Sequence, residues 1–374
     1  MSYHGRFEQA KQPKQPGKKK GLKIFLIVIA VILVLLLILA GAAYLYLQSK
    51  LKKMNIIELP KDTYAYTEPT DEVTRPPETE ATETTEATTE ATVPKMTADD
   101  IINILVVGQA ARAGEESYMA DSTMLVSINT YTKEINCMSV LRDSLVKLPD
   151  YKGHQCGKAK FTVCYNLGHM WGDTAGAMEM TNICLKDNFG VEVDYDVEVS
   201  FDGFIKMIDY IDGVDIELTQ AEADYLNKDT LYVKRTIEPG VQRLQGMEAL
   251  SYARMRKAAG DSESDIKRTE RQRKVVEALL ERFRYMSLSK LNNWVDILMP
   301  MVTTTMTPTD VTKLAAKILP LLPELKIKGY TIPMEGWGDM VDIYDNGEIH
   351  SVMRFDTAKE KKLIRAITEA EVSD

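Results

Sequence analysis

From Leu22 to Leu47 the chain runs for 26 residues with a single charge, Lys23 near the start. A stretch that long and that apolar matches a bilayer's hydrocarbon thickness better than any core helix. Arg6, Lys11, Lys14, Lys18, Lys19 and Lys20 precede it, and Lys50, Lys52 and Lys53 follow it. The richer positive charge lies on the N-terminal side, so the N-terminus is predicted in the cytoplasm and the rest outside. A cleaved leader has a shorter apolar core and a small-residue cleavage site, which "YLYLQSKLKK" does not offer. The expectation is a single-pass signal anchor over residues 22–47 in the cell membrane, behind a basic tail of residues 1–21.

Beyond the anchor, "YTEPTDEVTRPPETEATETTEATTEATVPK" (66–95) is Thr, Glu and Pro with almost nothing to bury. "TEAT" recurs from Thr79, Thr85 and Thr89. Such a segment does not repay the entropy of ordering, so 66–95 is predicted to be disordered, within a Thr/Glu/Pro-rich linker, 48–97, that holds an extracellular domain, 98–374, away from the membrane. Cys137, Cys156, Cys164 and Cys184 fall within one stretch of that domain. For an exported domain this clustering predicts at least one disulfide. No CxxC occurs and the histidines are scattered, which argues against zinc.

Within the domain, "INILVVG" reads as a buried strand, and "STMLVSIN" and "EINCMSVL" as a hairpin about "TYTK". Helical spacing covers "KFTVCYNLG" and "DTAGAMEMTNICLKDNFG", the latter capped by Gly190. "YDVEVSF", "DGFIKMIDYI" and "GVDIEL" then read as strand, helix and strand. Helices are predicted over 247–257, 267–283, 288–302 and 309–322, and a strand at "KIKGYTIP". The alternation predicts an α/β fold, a mixed β-sheet flanked by helices on both faces.

"SDIKRTERQRKV" (264–275) gathers five cations in a chain whose formal charge is −9. Its apolar stripe is Val275, Val276, Leu279, Leu280 and Phe283. Counting back by three and four carries that stripe to Gln272 and to Arg268 or Arg271, with Lys267, Glu270, Lys274, Glu277 and Glu281 opposite and Arg273 off the stripe. An inward guanidinium needs an anion: either a bound ligand or, locally, Asp265. Arg254 and Arg256 add cations upstream. Nucleic acid fits poorly with an acidic external domain, and a compact polyanion such as a pyrophosphate fits better. Arg142, in "VLRDS", ends an apolar strand, where α/β folds present functional residues. Asp121 enters the next strand from a polar loop, a position suited to a metal carboxylate or to a simple strand-end cap.

"NILVVG", "DSTMLVSIN", "SVLRDSLVKLP", "VSFDGFIKMIDYIDGVDIEL", "LQGMEALSYARMRK" and "DIKRTERQRKV" follow in order between residues 102 and 283. With the tail–span–domain layout, these motifs resemble the LytR–CpsA–Psr family of cell-wall glycopolymer ligases. The resemblance implies a phosphotransferase that moves a teichoic acid, capsule or similar glycopolymer from a polyprenyl-pyrophosphate carrier to peptidoglycan. Its partners would be that lipid-linked glycopolymer, peptidoglycan and membrane lipid. By motif position, Arg112, Arg142, Arg254, Arg256, Arg268 and Gln272 would hold the pyrophosphate, and Asp121 would bind Mg2+. Asp265, with Arg142 and Arg268, would act in catalysis, orienting an arginine or serving as base. The polyprenyl chain would need an apolar groove, for which the Met-rich stretch 170–210 is a candidate alongside a plain core role.

Three positions depart from the family pattern. Ala110 stands where the first metal aspartate is expected, Met119 replaces an arginine, and "SDIKR" lacks the motif's glycines. Glu115 or Glu116 is a candidate substitute ligand. A second reading is therefore a catalytically impaired binder of lipid-linked polymer. A third, an envelope regulator, is limited by the short cytoplasmic tail, which leaves little chain to touch DNA.

Overall fold

The computed structural model describes residues 53–60, 96–109, 120–256, 264–287, 299–345 and 348–369, with 258, 290 and 293 besides. The predicted anchor, the Thr/Glu/Pro run, Ala110, Arg112, Glu115, Glu116, Met119 and most of the helix expected at 288–302 lie outside the described residues. Among the described residues, no helix is long and apolar enough to cross a membrane.

The elements follow as β1 Asn55–Ile56, β2 Ile101–Gln109, β3 Ala120–Asn129, β4 Glu134–Val140, β5 Leu145–Lys147, β6 Lys158–Lys160, α1 Phe161–Phe189, β7 Tyr195–Ser200, α2 Phe201–Tyr210 and β8 Val214–Leu218. After these come α3 Gln220–Lys228, β9 Gly240–Leu244, α4 Gly246–Arg254, α5 Ser264–Arg284, β10 Val302–Thr304, α6 Pro308–Ile318, β11 Lys326–Ile332, β12 Gly338–Asp345, β13 Glu348–Phe355 and α7 Thr357–Thr368. Seven strands make the central sheet in the order β1-β10-β7-β2-β3-β4-β11. It is mixed: β2 runs parallel to β7, β4 to β11 and β1 to β10, while β2–β3, β3–β4 and β7–β10 are antiparallel.

Alternation along each strand assigns the two faces. Leu105, Val107, Leu125, Met138 and Val140 pack with Phe161, Met178, Met180, Leu185 and Phe189 of α1 in one core cluster. Cys137, next to Met138 and so on the opposite face, lies within electrostatic reach of Arg273 and Glu277 of α5. A second cluster joins α2, β8, β9, α4 and α5 through Ile208, Val214, Leu244, Tyr252, Val275 and Leu279. The expected helix-covered mixed sheet is what forms.

α1 is bent back on itself. Gly172 and Asp173 leave helical geometry, with φ +56° at Asp173. The two arms then approach so closely that a Cβ on Gly168 would stand 2.5 Å from the Gly176 carbonyl. The Cys164 thiol donates to Met180 O across the arms, at 3.1 Å. Gly190, at φ +75°, ends the helix as its spacing predicts.

Three expectations are corrected. All four cysteines are free thiols, and Cys137, Cys164 and Cys184 are fully buried, serving as small apolar side chains. The predicted linker contains part of the fold: β1 pairs with β10, Ile57 N–H donates to Thr304 O at 2.9 Å, and Ile57 and Leu59 pack on the first core cluster. Two paired residues in the short run "MNIIELP" carry no periodicity, so the strand was invisible in the sequence. The helix expected through 257 ends at Arg254, where Met255 turns to extended backbone and buries its side chain. The hairpin β12–β13 and helices α3 and α7 were not anticipated.

Candidate functional site

β2, β4 and β7 all finish at one end of the sheet, at Gln109, Val140 and Ser200. Arg142 follows β4 there. Its carbonyl accepts from Thr162 N–H and that of Ser144 from Phe161 N–H, so the first turn of α1 fixes the backbone on both sides of Asp143. From the other side, Met353 N–H of β13 donates to Asp143 O at 2.8 Å.

α5 begins against this turn. A narrow cleft is lined by Ala120, Ser122, Thr123, Val140, Arg142, Phe161, Thr162, Arg268, Thr269 and Gln272. It meets, at Arg268 and Gln272, a cavity of about 380 Å3 lined also by Tyr225, Asp229, Tyr232, Ser251, Arg254 and Arg256. Arg142 and Arg268, far apart in sequence, thus converge, and Arg254, Arg256 and Gln272 join them. Of the predicted site residues, Arg112 lies outside the described residues, and so does the side chain of Asp121, whose backbone belongs to β3.

Each cation is held differently. Arg268 is 3% exposed, with Asp265 at 3.4 Å one turn away. Arg254 donates to Tyr232 Oη at 2.9 Å, and its guanidinium lies 5.1 Å from the Phe201 ring centre, a cation–π contact. Arg256 is exposed at the rim. Arg271, which the periodicity left as an alternative to Arg268, points elsewhere: its Nε donates to buried Glu222 at 2.8 Å and its Nη1 to Met255 O at 3.2 Å. Arg273, expected off the stripe, is half-buried and donates to Thr331 Oγ1 at 2.8 Å. The sheet's β11 reaches under α5 there, a contact that helical periodicity does not encode.

Asp143 is a residue that sequence reasoning passed over beyond noting its dipeptide. Lys160 Nζ lies 2.7 Å from it, and its carboxyl neighbours that of Asp265. Burial, reinforced by the Asp143 hydrogen bond, pushes Asp265 above the usual carboxylate range. Asp143 is held below that range because hydrogen bonds from Asp265 and Lys160 outweigh its own burial. The signal available in sequence was only that Asp143 abuts Arg142.

Among the described residues, no three His, Cys, Asp or Glu side chains group as metal ligands. Asp143 and Asp265 are each tied to a cation and to each other, so they do not make a Mg2+ donor set. On the far side of α2, Met54, Val199, Met207, Met301 and Met306 line an apolar cavity of about 240 Å3. Of the other methionines in the predicted stretch, Met178 and Met180 are fully buried in the core, and Met170 is 65% exposed.

A model of the LytR_cpsA_psr family matches residues 64–361. Regulatory protein MsrR of Staphylococcus aureus (strain COL) is 30% identical over 252 residues, covering 67% of this chain and 69% of its own. The polyisoprenyl-teichoic acid–peptidoglycan teichoic acid transferase TagU of Oceanobacillus iheyensis is 29% identical over 202 residues, 53% of this chain and 57% of that one. Among solved structures, the family protein YwtF (TagT) with bound octaprenyl pyrophosphate aligns at a TM-score of 0.52 and 21% identity, covering 72% of this chain and 91% of that one. That likeness concerns the fold.

Proposed function

Since the chain belongs to the LytR–CpsA–Psr family, we propose that it is a membrane-anchored phosphotransferase, which attaches a glycopolymer from a polyprenyl-pyrophosphate carrier to peptidoglycan. The observation that carries this reading is the convergence of Arg142, Arg254, Arg256, Arg268 and Gln272 on two joined cavities. A pyrophosphate diester is a compact dianion, and planar guanidinium forks suit its oxygens better than ammonium points do. TagU's name, and the lipid bound to TagT, support the same substrate class for relatives.

The chemistry is a displacement at phosphorus. The acceptor hydroxyl oxygen forms a bond to the phosphorus that carries the glycan. The bond from that phosphorus to the bridging oxygen breaks, and polyprenyl phosphate leaves with the electron pair. Phosphoryl transfer of this kind depends on positioning and on charge neutralisation, which the arginines supply. The Asp143–Asp265 pair offers a carboxylate to take the hydroxyl's proton. Mg2+ at Asp121 remains part of the proposal, its further ligands falling among residues 110–119, and no step is assigned to it. The prenyl chain would lie on apolar surface such as the Met-lined cavity.

The test is release of polyprenyl phosphate from a short-chain lipid-pyrophosphate glycan donor by the full chain, with and without Mg2+. Turnover is expected. Tight donor binding without turnover at either condition would instead support the impaired-binder reading, which Ala110 and Met119 favour.

A further inference from the structure

Arg254 is the last helical residue of α4, and neutral groups hold its side chain. Its Nη1 donates to Tyr232 Oη at 2.9 Å, and its guanidinium carbon stands 5.1 Å from the Phe201 ring centre and 5.7 Å from that of Tyr232. Four other arginines between residues 235 and 271 are tied to carboxylates: Arg235 to Glu248, Arg243 to Asp215, Arg268 to Asp265 and Arg271 to Glu222. Among the described residues, no carboxylate lies within ion-pair distance of Arg254.

Both rings are fixed from behind. Asp229 closes α3: its N–H donates to Leu226 O, and its carbonyl accepts from Tyr232 N–H at 3.1 Å and Val233 N–H at 2.9 Å. Val233 is buried in the second core cluster. Ser251, one turn before Arg254 on α4, donates to the Asp229 carboxyl at 2.5 Å. The turn that bears Tyr232 is thereby latched to the helix that bears Arg254. Phe201 opens α2 directly after β7, where Ser200 Oγ caps the helix by accepting from Gly203 N–H at 3.2 Å.

We propose that Tyr232 and Phe201 are positioning residues, which hold the Arg254 fork at the cavity wall with its charge left for a bound phosphate group. Arg254, Tyr232, Asp229 and Ser251 all line the larger cavity. A long arginine side chain that moves freely in solvent has to be ordered when a ligand binds, and that ordering weakens affinity. A carboxylate partner would order the side chain but would compete with the ligand for the same N–H groups. A hydroxyl oxygen and an aromatic face order the fork and bring no opposing charge. Tyr232 and Phe201 therefore act through Arg254 and not on the ligand itself. This role rests on the cavity being the anion site proposed above, which it deepens by assigning two residues to the preparation of one cation.

The experiment is a double-mutant cycle on the full chain, read as the dissociation constant for inorganic pyrophosphate in calorimetry. Arg254→Gln should weaken binding at least about tenfold. Tyr232→Phe, which removes only the hydroxyl, should weaken it about 3–10-fold, and Phe201→Leu about 2–5-fold. Phe201→Tyr, which restores a ring, should recover most of the loss seen with leucine. The deciding comparison is the Arg254→Gln background, where Tyr232→Phe and Phe201→Leu should each change affinity by less than about 1.5-fold. A merely structural role would produce the same loss in both backgrounds, and that result would overturn the proposal. So would parent-like affinity in both Tyr232→Phe and Phe201→Leu, or a parent chain that does not bind pyrophosphate at all. The cycle needs no turnover, so the two readings separate. A cycle that holds while the lipid-linked donor is not consumed keeps the positioning role and removes the transferase. Donor turnover with a cycle that fails does the opposite.

Discussion

Arg268 and Arg271 sit three residues apart on α5 and are almost equally hidden, at 3% and 4% exposure, yet they belong to different regions. Arg271 lies in the packed interior between α3, α4 and α5. Its partner Glu222 is itself buried and closes the N-terminus of α3, accepting from Thr219 N–H at 3.0 Å. Burial raises the Glu222 carboxyl, but the Thr219 amide and Arg271 together hold it below its ordinary value. Charge and hydrogen bonds balance there. Around Arg268 cations cluster instead: Lys160, Arg142 and Arg268 gather beside the Asp143 and Asp265 carboxyls, with Arg254 and Arg256 a little further along the cavity. Depth of burial does not separate these two arginines. What each faces does: a buried carboxyl for Arg271, the cavity for Arg268.

The strongest test of that division is Arg271→Leu. It leaves Glu222 as a buried carboxylate without its cation, which should cost about 3–5 kcal/mol of stability, read from the urea midpoint. The double change Arg271→Leu with Glu222→Leu should recover most of the loss. If Arg271→Leu spared stability and abolished anion binding, the two regions would be one.

A chain that starts at Met96 asks whether packing lost at the sheet's β1 edge disturbs the cavity. It lacks β1 and withdraws Ile57 and Leu59 from the core, together about 2–3 kcal/mol by the area they cover. A lower melting temperature is expected with pyrophosphate affinity intact. A parallel fall in affinity would show that the cavity depends on β1 and its neighbours.

Arg142→Lys and Arg268→Lys keep the charge and lose the fork. Each should weaken binding of inorganic pyrophosphate by about 1.5–3 kcal/mol in calorimetry, with the melt little changed. The pair should be less than additive if both hold one phosphate. Lys274→Gln, on the exposed side of α5, is the control; Arg273 cannot serve, because it is bound to Thr331.

Much of this was legible beforehand, for identifiable reasons. The central strands and α5 have strong periodicity, and inward-facing Arg268 follows from counting along one stripe. Arg142 at a strand end follows from α/β topology. That Arg271 is buried too was not legible, because Glu222 stands 49 residues from it and only the fold brings it there. The Asp143–Asp265 bond, the Thr331 contact and the pairing of β1 with β10 are likewise long-range. The cysteines misled because clustering in sequence is not disulfide geometry: three became core.

Asp196 supplies a counterpart to Glu222, a buried carboxyl without a cation. It is 1% exposed, with Asn182 Nδ2 at 3.2 Å and Thr305 Oγ1 at 3.3 Å, while its Oδ1 has no hydrogen bond. Burial pushes its pKa up to about 6, against a partial pull downward from Asn182 and Thr305. Below about pH 4 the folded and unfolded chains both carry this proton, so the group's contribution is fully present. Between pH 4 and 6 the unfolded chain has lost the proton that the folded chain keeps, so stability declines as pH rises and the contribution is gone above 6. Asp196→Asn puts a neutral amide in the same place. It should match the parent near pH 4 and exceed it at pH 7 by about 1–2 kcal/mol in urea unfolding. Glu222→Gln should do the reverse, losing stability at pH 7, because the charge removed there has a partner. If both amides shifted stability in the same direction at pH 7, the presence of a cation beside Glu222 and its absence beside Asp196 would not be what separates these two buried carboxyls.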